Sequence, residues 1–411
     1  MNPEELADLT VRDLEPLLAV AAKIGKPPVK RRKRGGRDAP GNRMWISVPG
    51  GLEVSMTRSL PLSTWEAGLL EPYGDALADL DGVRDVVALN AAEDVSLRAI
   101  AAQLGGASAA AVESAIRFLF RCAVTTYEGQ PVHLNVLLDL DRTTDTAVVR
   151  DLRTLEEFDW HALLGSGLET GILVDSRGGV VEVQDMRDEL PSGTGSPDDN
   201  TLRPDVFRFM GAWSAVGNRI ALSLSRSREL LIHRDGRLRY VYRAGRWRGL
   251  PLDVALRTGW SAGASISRSV KRAMLASVID ASLGHHGASL AVVVKGHKHD
   301  FTGSGVIESR AMWPGDVRSK LFATHHFPSL TRRQRLEILS MDGATVLDRT
   351  GMILTAGTIV AVPSGSAGGG RLAATRKLAE FGAAFKVSQD GPISLFGLDS
   401  AGNVSLKMEM A

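Results

Sequence analysis

From Ser267 onward, segments with helical spacing alternate with segments of strand character, and the first of these strands is apolar along its whole length. SRSVKRAMLASVIDASLGHHG (267–287) sets Val270, Met274, Leu275 and Val278 on one helical side, and Gly284 ends it. GASLAVVV (287–294) follows without a charge. Such a run cannot leave one face in water, so it predicts a strand covered on both sides. A second helix-to-strand passage spans 330–363, where Asp342-Gly343-Ala344 opens a strand and Thr350-Gly351 turns it back. SGSAGGG (364–370) leads into a helix over 371–382, and AAFKVSQ (383–389) and PISLFGL (392–398) close the pattern. This alternation predicts an α/β domain with a central mixed sheet over 253–411.

The preceding residues read differently. Leu6, Leu9, Leu14, Leu17, Leu18 and Ile24 predict a helix over 3–24, stopped by Pro27-Pro28. KRRKRGGR (30–37) beside glycines predicts a basic linker, so 1–43 forms a first segment. MWISVPGGLEVSM (44–56) reads as two short strands about a Pro-Gly-Gly turn. Helices are expected over 96–105 and 108–122, the second capped by Ser108. With the VHLNVLLDL strand after them they resemble a winged helix-turn-helix, and 44–150 is taken as that unit. A DNA-reading helix offers Arg, Lys, Asn or Gln to bases and phosphates. Here only Arg117 and Arg121 qualify, late in the helix, so a protein-interaction role is favoured over nucleic acid.

Residues 188–202 are rich in Pro, Gly, Ser and Asp and predict an exposed loop. Strands follow over 217–225 and 228–251, with Asp235-Gly236 as a hairpin turn. In the latter, Arg237, Arg239, Arg243, Arg246 and Arg248 interleave with Tyr240, Tyr242 and Trp247. Two readings stay open there: a face for an anionic ligand, or ordinary alternation between a polar and a buried face. Residues 151–252 are thus expected to be a β-rich unit of α+β type.

A chain of 411 residues calls for two or three domains, and its apolar content of 44% is that of a globular protein. The net charge of +2 favours no class of charged partner. One cysteine, Cys122, excludes an intrachain disulfide and a cysteine-rich zinc site. The acidic N-terminus does not read as a signal peptide, and no uninterrupted apolar stretch reaches the length of a membrane span. A cytoplasmic protein without a membrane segment is expected.

Elementary chemistry nominates one site. A glycine-rich loop opening a helix lets backbone N–H groups approach an anion, and the helix dipole adds to their pull. Gly368, Gly369 and Gly370 supply that loop, and Arg371 can add a bidentate contact to phosphate. Asp342, at a strand-edge turn, is a candidate ligand for Mg²⁺ or Mn²⁺. His285-His286, His297, His299 and His325-His326 lie close in sequence, but no partner stands at a ligand spacing, and they read as loop histidines.

Over about residues 253–411 the order of these pieces is similar to the diadenylate cyclase domain family, the N-terminal domain of DNA-integrity-scanning proteins. That family carries an Asp-Gly-Ala motif, matched by Asp342, Gly343 and Ala344. Its Gly-Thr-Arg-His-Arg motif is matched at its start by Gly370 and Arg371, with Leu372 and Ala373 at the positions of the histidine and second arginine. Its Val-Ser-Glu-Glu-Thr-Gly-type strand end is matched by Val387, Ser388, Gln389, Asp390 and Gly391. The resemblance implies condensation of two ATP to cyclic di-AMP across a face-to-face homodimer, with Asp342 and Arg371 in catalysis. It implies nucleotide binding by Gly343, Ala344, Gly368, Gly369, Gly370 and Arg371. It also implies a metal, Mg²⁺ or Mn²⁺, on Asp342, with Glu380 as the family's glutamate. The departure from Arg-His-Arg leaves two readings: Arg376 and Lys377 supply the missing charge, or the domain binds ATP or a cyclic dinucleotide without turnover. The upstream segments resemble the sensor regions that precede such domains. A DNA-binding regulator acting through residues 96–122 and the basic run 30–37 is a further alternative.

Overall fold

The computed structural model describes residues 2–18, 21–25, 43–57, 62–80, 94–144, 151–155, 168–189, 202–257, 259–262, 265–294, 326–362 and 369–410. The basic run 30–37, most of the loop 188–202, Gly368, His297, His299 and His325 lie outside them. The chain is a mixed α/β protein and divides into two compact units. Residues 1–194 and 207–251 form one, and residues 195–206 and 252–411 form the other.

The first unit opens with α1 (Pro3–Leu18), which buries Leu6, Leu9, Leu14, Leu17 and Leu18. Burying each leucine contributes about 1.5–3 kcal/mol. The helix expected to reach residue 24 stops at Leu18, because Ala21–Gly25 forms β1 and pairs with β3 (Leu52–Thr57). β2 (Arg43–Val48) pairs with the other edge of β3. The short helices α2 (Thr64–Ala67) and α3 (Leu70–Ala78) precede α4 (Val95–Gly105) and α5 (Ala109–Cys122). Residues 95–122 have the length and mean hydropathy, 1.3, of a membrane span. Gly106, at φ 52°, divides the stretch, and Ile100, Leu104, Ile116 and Leu119 on its two halves are core residues.

A two-stranded hairpin, β4 (Thr126–Tyr127) with β5 (Gln130–Pro131), leads to β6 (Leu134–Asp139). After α6 (Leu152–Leu155) come β7 (Thr170–Val174), β8 (Val180–Asp185), α7 (Arg208–Trp213), β9 (Arg219–Leu224), β10 (Leu230–Arg234), β11 (Arg237–Arg243) and β12 (Arg246–Gly249). The seven-stranded sheet runs β12-β11-β10-β9-β6-β7-β8. β6 therefore lies in the middle of a sheet whose other strands come from 170–249. Strand pairing crosses the segment boundaries expected at 43/44 and 150/151: β1 pairs with β3, and β6 lies within the sheet of later strands. Strand pairing is non-local, and local composition does not report it.

The second unit holds α8 (Leu252–Arg257), α9 (Arg268–Leu283), β13 (Ala288–Val293), α10 (Arg332–Leu339), β14 (Ala344–Asp348), β15 (Ile353–Thr358), α11 (Gly370–Ala379), β16 (Gly382–Val387), β17 (Ile393–Leu398) and β18 (Val404–Met410). Its sheet runs β15-β14-β13-β16-β17-β18, with β13 and β14 parallel and the other neighbours antiparallel. Ala291 and Val293 of β13 meet Leu378 and Ala379 of α11 in one apolar cluster. Leu290 and Val292 point to the opposite face by strand alternation. β13 is thus buried on both sides, as its unbroken apolar sequence requires.

One feature redraws this unit's limits. Asp280 on α9 and Arg332 on α10 form a buried bidentate ion pair, at 2.7 and 2.8 Å. Asp280 Oδ1 also accepts from the Asp205 N–H at 3.1 Å, and an Arg332 N–H donates to the Arg203 carbonyl. The pair anchors residues 203–205, so a unit expected to be the continuous stretch 253–411 includes a piece of chain from much earlier.

Candidate functional site

The site sits where β14 begins. Gly343 has φ 104°, and a Cβ there would lie 2.7 Å from the Gly357 carbonyl carbon and the Thr358 oxygen. Only glycine lets the two backbones come this close. Asp342, just before it, is exposed and accepts from the Gly343 N–H at 3.1 Å. The turn puts this carboxylate at the mouth of a pocket and its peptide groups in the wall.

The pocket has a volume of about 330 Å³. Ser289, Ala344 and Thr358 cross its floor as one rung of the sheet, Ser289 paired with Ala344 and Ala344 with Thr358. Ile359, Val360, Val362 and Ala374 give it apolar walls, and Ile359 is 40% exposed. Asp342, Gly343, Gly370 and Arg371 complete the lining. Gly369 stands at the N-cap of α11 with φ 84° and offers no side chain to the first N–H groups of the helix. Those donors and the positive end of the helix dipole lie beside the exposed Arg371 guanidinium.

Asp342, Gly343, Ala344, Gly370 and Arg371, all named from the sequence, therefore share one cavity, with Gly369 adjoining it. Glu380 does not join them. It ends α11, about 13 Å along the axis from Arg371 at 1.5 Å per residue, and pairs with Lys377 at 2.7 Å. Glu380, which the resemblance sets beside Asp342 on a metal, is not among the residues that line the cavity. Arg376 lies over the Phe396 ring at 5.5 Å. Leu372 packs against the apolar cluster under α11. Among the described lining residues, Arg371 is the one cation and Asp342 the one carboxylate.

Sequence reasoning missed Ser289, Thr358, Ile359, Val360, Val362 and Ala374. One signal was present: Ser289 is the single polar residue in an otherwise apolar run. Among the described residues no group of three or more His, Cys, Asp or Glu side chains converges as a metal would require. His285 and His286 follow the end of α9, and the His285 ring lies 3.3 Å from the Gln389 carbonyl.

Several arginines of the first unit are held in ion pairs. Arg117 of α5 pairs with Asp94 at 2.8 Å and Glu113 at 2.9 Å. Tyr242, Trp247 and Phe120 pack edge to face. Arg243 is buried in an ion pair with Glu229, and Arg239 bonds Asp235 at 3.0 Å while lying over Trp65. Of the arginine-aromatic ribbon, Tyr240, Trp247 and Arg243 are buried, while Arg246 is exposed.

A scan against protein-family models finds no match for this chain, and a search of curated proteins finds none.

Proposed function

We propose that the unit containing residues 252–411 is a nucleotide site of the diadenylate-cyclase type, which joins two ATP molecules into cyclic di-AMP. The observation that carries this reading is the single pocket shared by Asp342-Gly343-Ala344 and Gly370-Arg371. Its volume lies at the lower end of the usual range for small-molecule sites, roughly 300–1,000 Å³. Ile359, Val360, Val362 and Ala374 offer a planar base an apolar slot. The α11 N-terminus and Arg371 receive the phosphates. The 3′-hydroxyl of one ATP attacks the α-phosphorus of the other, and pyrophosphate leaves. Each site holds one ATP, so two copies of the chain must face each other, and proximity does much of the work.

Asp342 is the residue that would hold a divalent cation, and a single carboxylate suits Mg²⁺ or Mn²⁺ when substrate phosphates complete the shell. A cation bound there supplies charge neutralisation at the phosphoryl oxygens. Purified protein given ATP with Mn²⁺ or Mg²⁺ is expected to yield a cyclic dinucleotide, and Asp342→Ala to lower the rate at least about 100-fold. A wild-type protein that forms no such product with either metal refutes the catalytic reading.

A second reading has its own support. Arg376 and Lys377 are engaged away from the pocket and Leu372 packs inward, so one arginine faces a triphosphate alone. On that reading the unit senses ATP or cyclic di-AMP without converting it. Calorimetry then finds binding without turnover, about tenfold weaker in Arg371→Ala. No heat of binding with either ligand removes this reading as well.

A further inference from the structure

The Arg371 guanidinium lies against the backbone of Gly287, the residue before β13. A Cβ at 287 would stand 2.8 Å from Arg371 Cζ and 3.4 Å from Nε. Carbon atoms rest at about 3.5–4.0 Å, so no side chain fits at 287 while the guanidinium stays there. Next to this contact, Ser289 and Thr375 join by a buried hydroxyl-hydroxyl hydrogen bond of 3.0 Å. The two contacts are rungs of one ladder. Continued one residue back from β13, strand alternation puts Gly287 on the face of Ser289, and 371 and 375 share a helix face. The steps match, at about 6.6 Å for two strand residues and about 6 Å for four helical ones. The Ser289–Thr375 bond thus sets the helix in register and delivers Arg371 to Gly287. Among the described residues no carboxylate holds Arg371. The missing side chain at 287 is its seat.

We propose that Gly287 is a positioning residue for the phosphate-binding arginine of this site. It keeps one face of the guanidinium against the strand and leaves the other open to the pocket. The proposal rests on the nucleotide reading above. Gly287 is not among the positive-φ glycines, and the atoms a Cβ would displace are the end of a flexible side chain. Gly287→Ala is therefore expected to fold with an unchanged Tm while moving Arg371.

The test compares wild type, Gly287→Ala, Arg371→Ala and the double variant. ATP with Mg²⁺ is titrated by calorimetry, and phenylglyoxal modification of Arg371 is followed without nucleotide by peptide mass spectrometry. Gly287→Ala is expected to weaken ATP about tenfold, with the double variant no weaker than Arg371→Ala. Arg371 in Gly287→Ala is expected to react faster, its second face being freed. Losses that add in the double variant overturn the proposal, as does an unchanged modification rate. A wild type that binds no ATP ends the nucleotide reading instead, and the modification rate then decides by itself whether Gly287 seats Arg371.

Discussion

His233 on β10 is wholly buried, and burial pushes its ring from an ordinary value of 6.5 down to about 3. His133, stacked on Phe207 at 6.0 Å, is also lowered, by burial first and by nearby Arg226, against the opposing hydrogen bond of Asn135. Burial favours the neutral ring of both in the folded protein. The unfolded chain takes up protons first as the pH falls, so the stability that neutral His233 allows is complete above about pH 6.5 and lost toward pH 3, with His133 acting in the same direction. The slope is about 1.4 kcal/mol per pH unit for each proton. Thermal unfolding between pH 7 and pH 4.5 is expected to show Tm of the first unit falling, with a shallower fall in His233→Leu. Equal slopes in the two proteins exclude this role for His233. At the same scale, the site was half legible: Asp342, Gly343, Ala344, Gly370 and Arg371 carry signals in their own neighbourhoods. Ser289 is marked only as the polar residue of an apolar run, and Gly287 and Thr358 are not marked at all, because strand order rather than local pattern sets their neighbours.

Among elements, the clearest sequence patterns gave the closest agreement. The helix expected over 267–287 is α9 at Arg268–Leu283, and the apolar run 287–294 is β13 at Ala288–Val293. The hairpin at Asp235-Gly236 has φ of 54° and 73°, the left-handed pair that its dipeptide favours. β18 was missed although Met408 and Met410 alternate as buried residues, because the expected strand pattern closed at 398. The pairing of α9 with α10 had no local signal at all. Asp280 and Arg332 are separated by a long stretch of chain, and burial raises the Asp280 carboxyl despite the opposing Arg332 charge. Removing one partner leaves the other charge buried, which costs about 3–5 kcal/mol. Arg332→Met is expected to lower the Tm of the second unit and to open Arg203 to trypsin. An unchanged cleavage rate there contradicts the anchoring of 203–205.

At the level of the whole molecule, the chain passes between its two units after residues 194, 206 and 251. The sequence showed a change of pattern from Ser267, and residues 252–411 do belong to one unit. It could not show that 203–205 belongs with it, because those residues sit in a polar stretch with no periodicity. A fragment starting at 252 lacks the Arg203 carbonyl and the Asp205 N–H, leaving part of the Asp280–Arg332 network without partners. Such a fragment is expected to be less stable, by about 1–3 kcal/mol, than one that supplies 202–206 as a separate peptide or by fusion. Equal unfolding midpoints for the two would show the early segment to be dispensable.

The anchored segment also bears on how such a chain can change over generations. A crossover at residue 252 that replaced everything upstream would give the α9–α10 pair a foreign strip of backbone in place of 203–205. An exchange that respects this architecture has to move the later residues together with that strip, inherited as one module written in two places.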